Sequence, residues 1–300
     1  MYPANFHYHR TTDFREASEL LSRFGGDAKA IAGGQTLVPL LKLRLVTPQH
    51  LVDIGRIKGA NSIERDGARL RVGALATHAD IAAAQATRAI PMAAECSAGI
   101  ADPQVRNRGT IGGSLAEADP SSCWPALLFT LDARVNCISS EGTRWQSIRE
   151  LLREPYAPAL RTGELIQHVE IDLPQPNTHG SFVAFKRCAQ AYPTASCAVL
   201  LTLDGDRCRE VRIGFGCLGL TPLVAPAAEQ FLRGARLTDE TIRSVATLAA
   251  SATEPLADGR GSVEYKRFLA AGLVRRAIAN AMARAQGRAA PNDSHSYYGR

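Results

Sequence analysis

Two short stretches of the chain combine adjacent glycines with hydroxyl and amide side chains, a combination that suits a phosphorylated ligand. The first reads Ala32-Gly33-Gly34-Gln35-Thr36, and the second reads Thr110-Ile111-Gly112-Gly113-Ser114. Glycine has no Cβ, so the backbone can bend through positive φ and approach a ligand closely. The hydroxyls of Thr110 and Ser114 can donate to an anionic oxygen, and successive backbone N–H groups in such a turn form a concavity for phosphate. We therefore expect the two stretches to hold a diphosphate from opposite sides.

Neither stretch matches the common nucleotide-binding motifs. A Rossmann site requires G-x-G-x-x-G, and a Walker loop requires Lys and Ser or Thr after its glycines; the two stretches contain neither pattern. A single Gly-Gly pair is more often an ordinary tight turn. The phosphate hypothesis therefore depends on two such stretches occurring in one chain.

The first glycine stretch lies in a predicted α/β unit of about residues 1–59. Apolar runs predict strands at 6–10, 28–32 and 51–54, and helical spacing predicts helices at 13–24 and 37–43. Asp13 with Glu16 resembles a capping box, and Gly25-Gly26 ends the helix that follows it. In this unit the first stretch lies between a predicted strand and a predicted short helix.

The second glycine stretch lies in a unit of about residues 60–175. Strands are predicted at 70–73, 134–138 and 165–173, and helices at 79–87, 92–100 and 121–131. Residues 174–180 are rich in proline and glycine and form the best linker candidate. We expect this unit and the first to make up one domain over 1–175.

Beyond the linker the pattern changes from mixed elements to strands and then helices. Strands are predicted at 181–188, 195–203 and 207–217, and helices at 226–233, 238–251 and 262–285. Strands followed by helices indicate a separate α+β domain over 176–288 with a small antiparallel sheet. The polar residues 289–300 predict a disordered tail.

Composition excludes several classes of protein. The chain has 300 residues and is 45% hydrophobic, with no apolar run long enough for a membrane span and no signal peptide, so we expect a cytoplasmic protein. The seven cysteines are an odd number without C-x-x-C, which argues against a disulfide framework and against a zinc or iron–sulfur site. The net charge of +6 is scattered along the chain, and aromatic residues are only 6%, so nucleic-acid binding is not favoured.

Several ordered motifs resemble those of one protein family. They are Ala32-Gly33-Gly34-Gln35-Thr36-Leu37-Val38-Pro39, Gly73-Ala74-Leu75-Ala76-Thr77-His78-Ala79, Arg108-Gly109-Thr110-Ile111-Gly112-Gly113-Ser114-Leu115-Ala116 with Ala118-Asp119-Pro120, and Gly261-Ser262-Val263-Glu264-Tyr265-Lys266-Arg267. Together they look like the FAD-binding medium subunit of the molybdenum hydroxylases, the xanthine dehydrogenase and carbon monoxide dehydrogenase family. The similarity runs from about Phe6 to about Ala285.

The resemblance implies a fold, a cofactor and partners. The fold would be a two-subdomain FAD-binding module, similar to that of vanillyl-alcohol oxidase, followed by the C-terminal α+β domain. The chain would be an oxidoreductase subunit that binds FAD, in a complex with a small 2Fe-2S subunit and a large molybdopterin subunit, as a dimer of heterotrimers. Electrons would pass from the 2Fe-2S clusters to FAD and on to NAD⁺ or another acceptor.

The resemblance also implies roles for single residues. Both glycine stretches would hold the diphosphate and ribityl chain, and Asp119 would bind adenosine ribose hydroxyls or cap the next helix. Ile166 would pack on the flavin ring, and the Lys186 cation would stabilise the reduced flavin. Lys29 either opens the first stretch or is a solvated lysine, and Tyr192 either covers the ring or is an ordinary core or surface tyrosine.

Two positions depart from the family pattern. Glu117 stands where relatives often have histidine, and Cys123 stands where many have the aspartate that contacts the adenosine ribose. Cysteine is a poor acceptor for hydroxyl groups, so affinity on the adenosine side would be weaker, or Asp119 would take over.

Two other functions remain open on the sequence. A stand-alone flavin oxidase of the vanillyl-alcohol-oxidase kind would need its own substrate pocket and often a covalent flavin link, for which His78 and Cys123 are the nearest candidates. A flavin-free structural subunit is the non-enzymatic alternative, suggested by the departure at Cys123.

Overall fold

Three β-sheets organise the computed structural model, which describes residues 2–297. The first is a three-stranded parallel sheet in the order β1-β3-β2. Its core contains Phe14, Ala17 and Val52, and Asp13 caps the first helix by accepting from the Glu16 N–H at 2.9 Å. The predicted strands and helices of this unit are confirmed. They are β1 (His7–Arg10), α1 (Phe14–Phe24), β2 (Ala28–Ile31), α2 (Leu37–Lys42) and β3 (His50–Asp53).

The second unit is built on an antiparallel sheet of five strands in the order β4-β5-β8-β6-β7. Its elements are β4 (Ile63–Asp66), β5 (Arg69–Gly73), α3 (His78–Ala83), α4 (Pro91–Ala98), α5 (Pro103–Arg106), α6 (Ile111–Glu117), α7 (Trp124–Thr130), β6 (Arg134–Ser139), β7 (Gly142–Ser147), α8 (Ile148–Leu151) and β8 (Leu165–Asp172). Sequence patterns predicted β5, β6 and β8 but missed β4, β7, α5, α6 and α8. The helix predicted at 79–87 ends at Ala83, and the one predicted at 121–131 begins at Trp124.

The C-terminal sheet also has five strands, in the order β12-β11-β10-β9-β13. Its elements are β9 (Thr178–Lys186), β10 (Pro193–Asp204), β11 (Arg207–Gly216), β12 (Leu223–Val224), α9 (Pro226–Leu232), α10 (Asp239–Ser251), α11 (Val263–Ala285) and β13 (His295–Tyr297). The predicted mixture of helices and strands, with an antiparallel sheet in the C-terminal domain, is confirmed.

Alternate side chains of β9 and β10 enter two different cores. Phe182 and Ala198 pack with α4 and α7 of the preceding unit, whereas Val183 and Val199 pack with α9, α10 and α11. Because one face of this sheet is buried against α4 and α7, the two domains share an apolar seam, formed by Phe182 and Ala198 against those two helices.

The tail differs from its prediction. Residues 289–300 were expected to be disordered, yet β13 pairs in parallel with β9, with His295 opposite Ala184 and Tyr297 opposite Lys186. Residues 298–300 lie outside the described residues. Within 2–297, no helix is long and apolar enough to cross a membrane.

Candidate cofactor site

The structure brings the first glycine stretch into contact with the segment that leads into the second. A Cβ built on Gly33 would lie 1.9 Å from the carbonyl oxygen of Arg108, in the segment that leads into the second stretch. Gly34 has φ +72°, a left-handed conformation that favours glycine. The first stretch can therefore turn and approach the second only because neither position carries a side chain.

The first stretch has a row of backbone donors that face no protein acceptor. Across residues 2–297, the N–H groups of the four residues from Gly33 to Thr36 donate to no protein atom. Thr36 begins α2 without a side-chain cap bond. Consecutive unpaired N–H groups at the start of a helix suit an anion, because each one offers a hydrogen bond.

The second stretch is the capped first turn of α6, so the expectation that its N–H groups form a phosphate concavity is wrong. Thr110 Oγ1 accepts from the Gly113 N–H at 3.1 Å, and the Gly112 N–H donates to the Ala74 carbonyl at 2.9 Å. The N–H of Ser114 donates to the Thr110 carbonyl at 3.0 Å. With these donors satisfied inside the protein, the stretch can offer close backbone approach and hydroxyl groups, and not a row of N–H groups.

The two glycines of the second stretch have different roles. Gly112 is buried, and a Cβ there would lie 2.5 Å from the Ala74 Cβ, so this position serves packing. Gly113 is exposed, and in the described chain a Cβ there would meet the Thr110 hydroxyl at 2.9 Å and no other heavy atom within 4 Å outside its own helix. Ser114 Oγ lies 2.7 Å from Ser122 Oγ. Gly113 is thus the position in this stretch that leaves room for a ligand.

His78 supports the second stretch through hydrogen bonds to residues on either side of it. Its Nδ1 accepts from Trp124 Nε1 at 3.2 Å, so the neutral imidazole carries its proton on Nε2. Its backbone N–H donates to the Gly109 carbonyl at 3.0 Å. Burial, together with the charge of Arg106, lowers the pKa of His78 to about 4. From the sequence His78 was considered only as a candidate for a covalent flavin link, so this supporting role was missed.

Asp119 and Tyr192 are brought together from different domains. The Asp119 carboxylate accepts from the Ser121 N–H at 2.8 Å and from the Tyr156 hydroxyl at 3.2 Å. Partial burial and the neighbouring Asp119 raise the pKa of Tyr192 to about 12. The guanidinium of Arg260 lies 5.8 Å from the centroid of the Tyr192 ring. The Tyr192 side chain remains 48% exposed, so this cluster offers both a carboxylate and an accessible aromatic ring.

Lys29 lies near the carboxylates of this cluster. It is an exposed residue of β2, and its charge opposes the rise in the pKa of Glu117 that partial burial and Asp119 cause. Glu117 ends α6, so the departure from the family histidine places a second carboxylate beside Asp119. Lys29 supplies a cation that partly balances Glu117.

The two residues predicted to act on the flavin ring, Lys186 and Ile166, are both buried. Lys186 is 1% exposed, and its Nζ donates to the Gly99 carbonyl and, at 3.2 Å, to the Ala189 carbonyl. Burial lowers the pKa of this amine. Ile166 is 5% exposed and lies opposite Cys137 in the sheet core. The roles of both residues at the flavin ring stay predictions.

These observations fit FAD. A dinucleotide needs donors for its diphosphate, an acceptor for its ribose hydroxyls and an aromatic surface, and the chain offers the N–H groups of residues 33–36, Asp119 and Tyr192. Cys123 is only 5% exposed, so Asp119 is the available acceptor near that departure. Within the described chain, no group of three or more His, Cys, Asp or Glu residues could hold a metal ion.

Comparison with known families agrees with this fold and with FAD as the cofactor. Residues 4–176 match the FAD binding domain in molybdopterin dehydrogenase, and residues 180–281 match the CO dehydrogenase flavoprotein C-terminal domain. The fold and these two matched domains define an FAD-binding flavoprotein subunit. The chain belongs to the family of FAD-binding medium subunits of the molybdenum hydroxylases.

Individual relatives cover nearly the whole chain. The carbon monoxide dehydrogenase medium chain of Afipia carboxidovorans is 38% identical over 288 residues, which cover 95% of this chain and 100% of the relative. A xanthine dehydrogenase FAD-binding subunit of Escherichia coli O157:H7 is 29% identical over 289 residues, covering 94% and 97%. A solved structure of carbon monoxide dehydrogenase from Hydrogenophaga pseudoflava superposes with a TM-score of 0.91 at 35% identity, covering 95% and 99%.

Proposed function

We propose that this chain transfers electrons within a molybdenum hydroxylase, from 2Fe-2S clusters of a small partner subunit to NAD⁺ or another acceptor. FAD, when bound, supplies the redox chemistry of this step. The observation that supports the proposal best is the contact of Gly33 with the Arg108 carbonyl, because it sets the unpaired N–H groups of the first stretch beside the second. The chain itself binds and orients the cofactor.

The diphosphate would be held mainly by the first stretch. The N–H groups from Gly33 to Thr36 would donate to its oxygens, with Ala32 and Gln35 shaping the turn. Ser114 would add a hydroxyl, and Gly113 would let the ligand approach the helix start. Thr110 and Gly112 would act indirectly, by capping and packing that helix.

The remaining predicted residues would act at the two ends of the cofactor. Asp119 would accept from ribose hydroxyls, because its carboxylate keeps acceptor capacity beyond the two bonds described. Lys29 would balance the local negative charge, and Tyr192 would cover the ring. Lys186 and Ile166 stay predictions from the family resemblance; as buried groups they would act on the ring from the protein side.

The partners follow from the same proposal. The subunit would assemble with a small 2Fe-2S subunit and a large molybdopterin subunit in the cytoplasm, as a dimer of heterotrimers. The substrate would be chosen in the large subunit, so it is not set by residues of this chain. The higher identity to a carbon monoxide dehydrogenase medium chain, 38% against 29% for a xanthine dehydrogenase subunit, favours the former branch as the nearer one.

The burial of both candidate attachment points argues against the alternative of a stand-alone oxidase with a covalent flavin. His78 and Cys123 are each 5% exposed, and the His78 Nδ1 already accepts from Trp124. A covalent link would need one of these atoms to reach the cofactor. The flavin-free alternative is opposed by the donor row of the first stretch, which matches an anion.

The proposed electron transfer is tested on the complex purified with its co-expressed neighbours. NADH added without oxygen is expected to bleach the flavin absorption band and then to reduce the 2Fe-2S clusters of the partner. If NADH leaves the band unchanged but a quinone analogue reoxidises the pre-reduced flavin, the acceptor is not NAD⁺. A flavin-loaded complex in which reduced clusters and flavin never exchange electrons would overturn the function.

A further inference from the structure

The segment after α11 returns to the protein instead of leaving it. The matched family domains end at residue 281, whereas residues 289–297 run back along β9 and add β13 to the sheet. The N–H of Ala184 donates to the Ser294 carbonyl at 2.8 Å. Without this segment β9 would have an unpaired edge along residues that are mostly buried.

A buried asparagine holds the segment in place. Asn280 of α11 is completely buried, and its Oδ1 accepts from the Asn292 backbone N–H at 3.0 Å. Its Nδ2 donates to the Asn292 carbonyl at 3.1 Å and to Ser181 Oγ of β9 at 3.2 Å. One amide therefore connects α11, β9 and the returning segment, and such a buried network is costly to break.

His295 inserts its ring between the two domains. The side chain is buried, 8% exposed, and its ring centroid lies 5.7 Å from that of Phe182 on β9. On the other side it fills the space over Gly99, where a Cβ would lie 1.9 Å from His295 Cε1. Gly99 ends α4 of the FAD-binding domain, and its carbonyl accepts from Lys186 of β9 in the C-terminal domain. His295 therefore packs on the backbone that makes this interdomain hydrogen bond.

A second interdomain contact lies on the same seam. Glu95 of α4 is paired with Arg284 of α11, and the same carboxylate accepts from the Phe182 N–H at 3.1 Å. Glu95 and Arg284 are mostly buried, with 16% and 19% of their side chains exposed. His295 extends this seam toward Lys186, at the end of β9 that leads to Tyr192.

We propose that residues 289–297 form an interdomain strap that fixes the C-terminal sheet against the FAD-binding domain, with His295 as its positioning residue. The strap holds Lys186 on the Gly99 carbonyl and thereby sets where β9 ends and where the following segment presents Tyr192. Its effect on cofactor release rests on the proposed function, whereas its effect on the β9 edge does not.

The test compares three variants with the parent chain, two single substitutions and one truncation. His295→Ala removes the ring between the domains, and ending the chain after Ala290 removes the strand. Ser296→Ala is the matched control, because that side chain lines the groove on the opposite face beside α10 and α11 and makes only a 3.5 Å contact with the Ala184 carbonyl.

Amide hydrogen exchange along β9 is the primary measurement. We expect exchange at Ala184 to quicken by about tenfold or more when the strap is removed, and by less in His295→Ala, while Ser296→Ala matches the parent chain. FAD release should quicken in the same order. Unchanged exchange at Ala184 in both strap variants would overturn the proposal. If the shortened chain does not fold, equal exchange in His295→Ala and Ser296→Ala overturns it.

The two proposals fail in distinguishable ways. A parent chain that never binds FAD contradicts the proposed function, but the exchange of β9 still decides the strap. A parent chain that binds FAD and shows the same β9 exchange with and without the strap contradicts the strap alone.

Discussion

Replacing Gly33 with alanine tests the contact between the two glycine stretches. The new Cβ would lie 1.9 Å from the Arg108 carbonyl oxygen and 2.6 Å from its carbonyl carbon, and both of these are backbone atoms. A backbone carbonyl cannot swing aside as the end of a flexible side chain can. The first stretch must therefore move away from the second.

The size of the effect follows from that overlap. Real Cβ contacts are essentially never shorter than 3.0 Å, so the two backbones must separate by about 1 Å. Overpacking of this kind destabilises a protein by about 1–3 kcal/mol. If the N–H donors of residues 33–36 lose their alignment by the same shift, FAD affinity should fall by roughly tenfold to a hundredfold, since each 1.4 kcal/mol is about tenfold.

The assay is FAD binding to the apo chain, followed by quenching of flavin fluorescence. Gly26→Ala is the control, because the same methyl group would meet no atom within 4 Å there and Gly26 does not have positive φ. The account requires a loss of affinity in Gly33→Ala only. Equal affinity in the two variants, with both folded, would refute the argument that the contact of the stretches forms the site.

Three further predictions concern buried and interdomain groups. The pKa of His78 is about 4 in the folded chain and about 6.5 in the unfolded chain, so the neutral ring contributes about 3 kcal/mol to the free energy of unfolding above pH 6.5, and this contribution is lost as the pH falls toward 4. The free energy of urea unfolding should therefore depend less on pH in His78→Gln than in the parent, and an unchanged dependence would contradict the assignment. Asp119→Asn should lower the pKa of Tyr192, because Asp119 raises it, and should weaken FAD binding; an ultraviolet titration of tyrosine in which the Tyr192 transition stays in place would contradict the pairing. Glu95→Gln should destabilise the chain by about 3 kcal/mol, because it leaves Arg284 mostly buried without its carboxylate, and a urea midpoint equal to that of the parent would show that the pair contributes little.

Local pattern predicted the elements that have strong local signals. Asp13 and Gly25 bound α1 as expected, and alternating apolar residues identified β10 and β11. The strands that were missed, β4 and β7, consist mainly of exposed polar residues. Such strands form because a neighbouring strand supplies the hydrogen bonds, which the sequence of the segment itself does not reveal.

The second glycine stretch shows where local propensity misleads. Two glycines favour a turn, yet the Thr110 cap and the burial of Ile111 and Leu115 make this segment the start of α6. Residues 289–297 were predicted as disordered for a similar reason. Their polar composition favours disorder, but the Asn280 side chain, 12 positions before Asn292, holds them by a hydrogen bond that the segment's own sequence does not reveal.

The sequence predicts residues for the candidate site but does not predict how they are arranged. The resemblance supplied Asp119 and Tyr192, but their pairing across the domain seam is a tertiary contact. The burial of Lys186 and Ile166 depends likewise on how α4 and the sheets pack, and no spacing in the chain encodes it. His78 was missed as a support because its partner, Trp124, is 46 positions away.

The most direct test of the central claim is the visible absorption spectrum of the chain, purified with its co-expressed neighbours, before and after acid precipitation. The account predicts a flavin band that acid releases into the supernatant as FAD, with 2Fe-2S absorbance in a co-purifying partner. A folded complex without any flavin would contradict the claim that this chain carries FAD. Colour that stays with the precipitated protein would instead indicate a covalent flavin and contradict the dissociable site at the two glycine stretches.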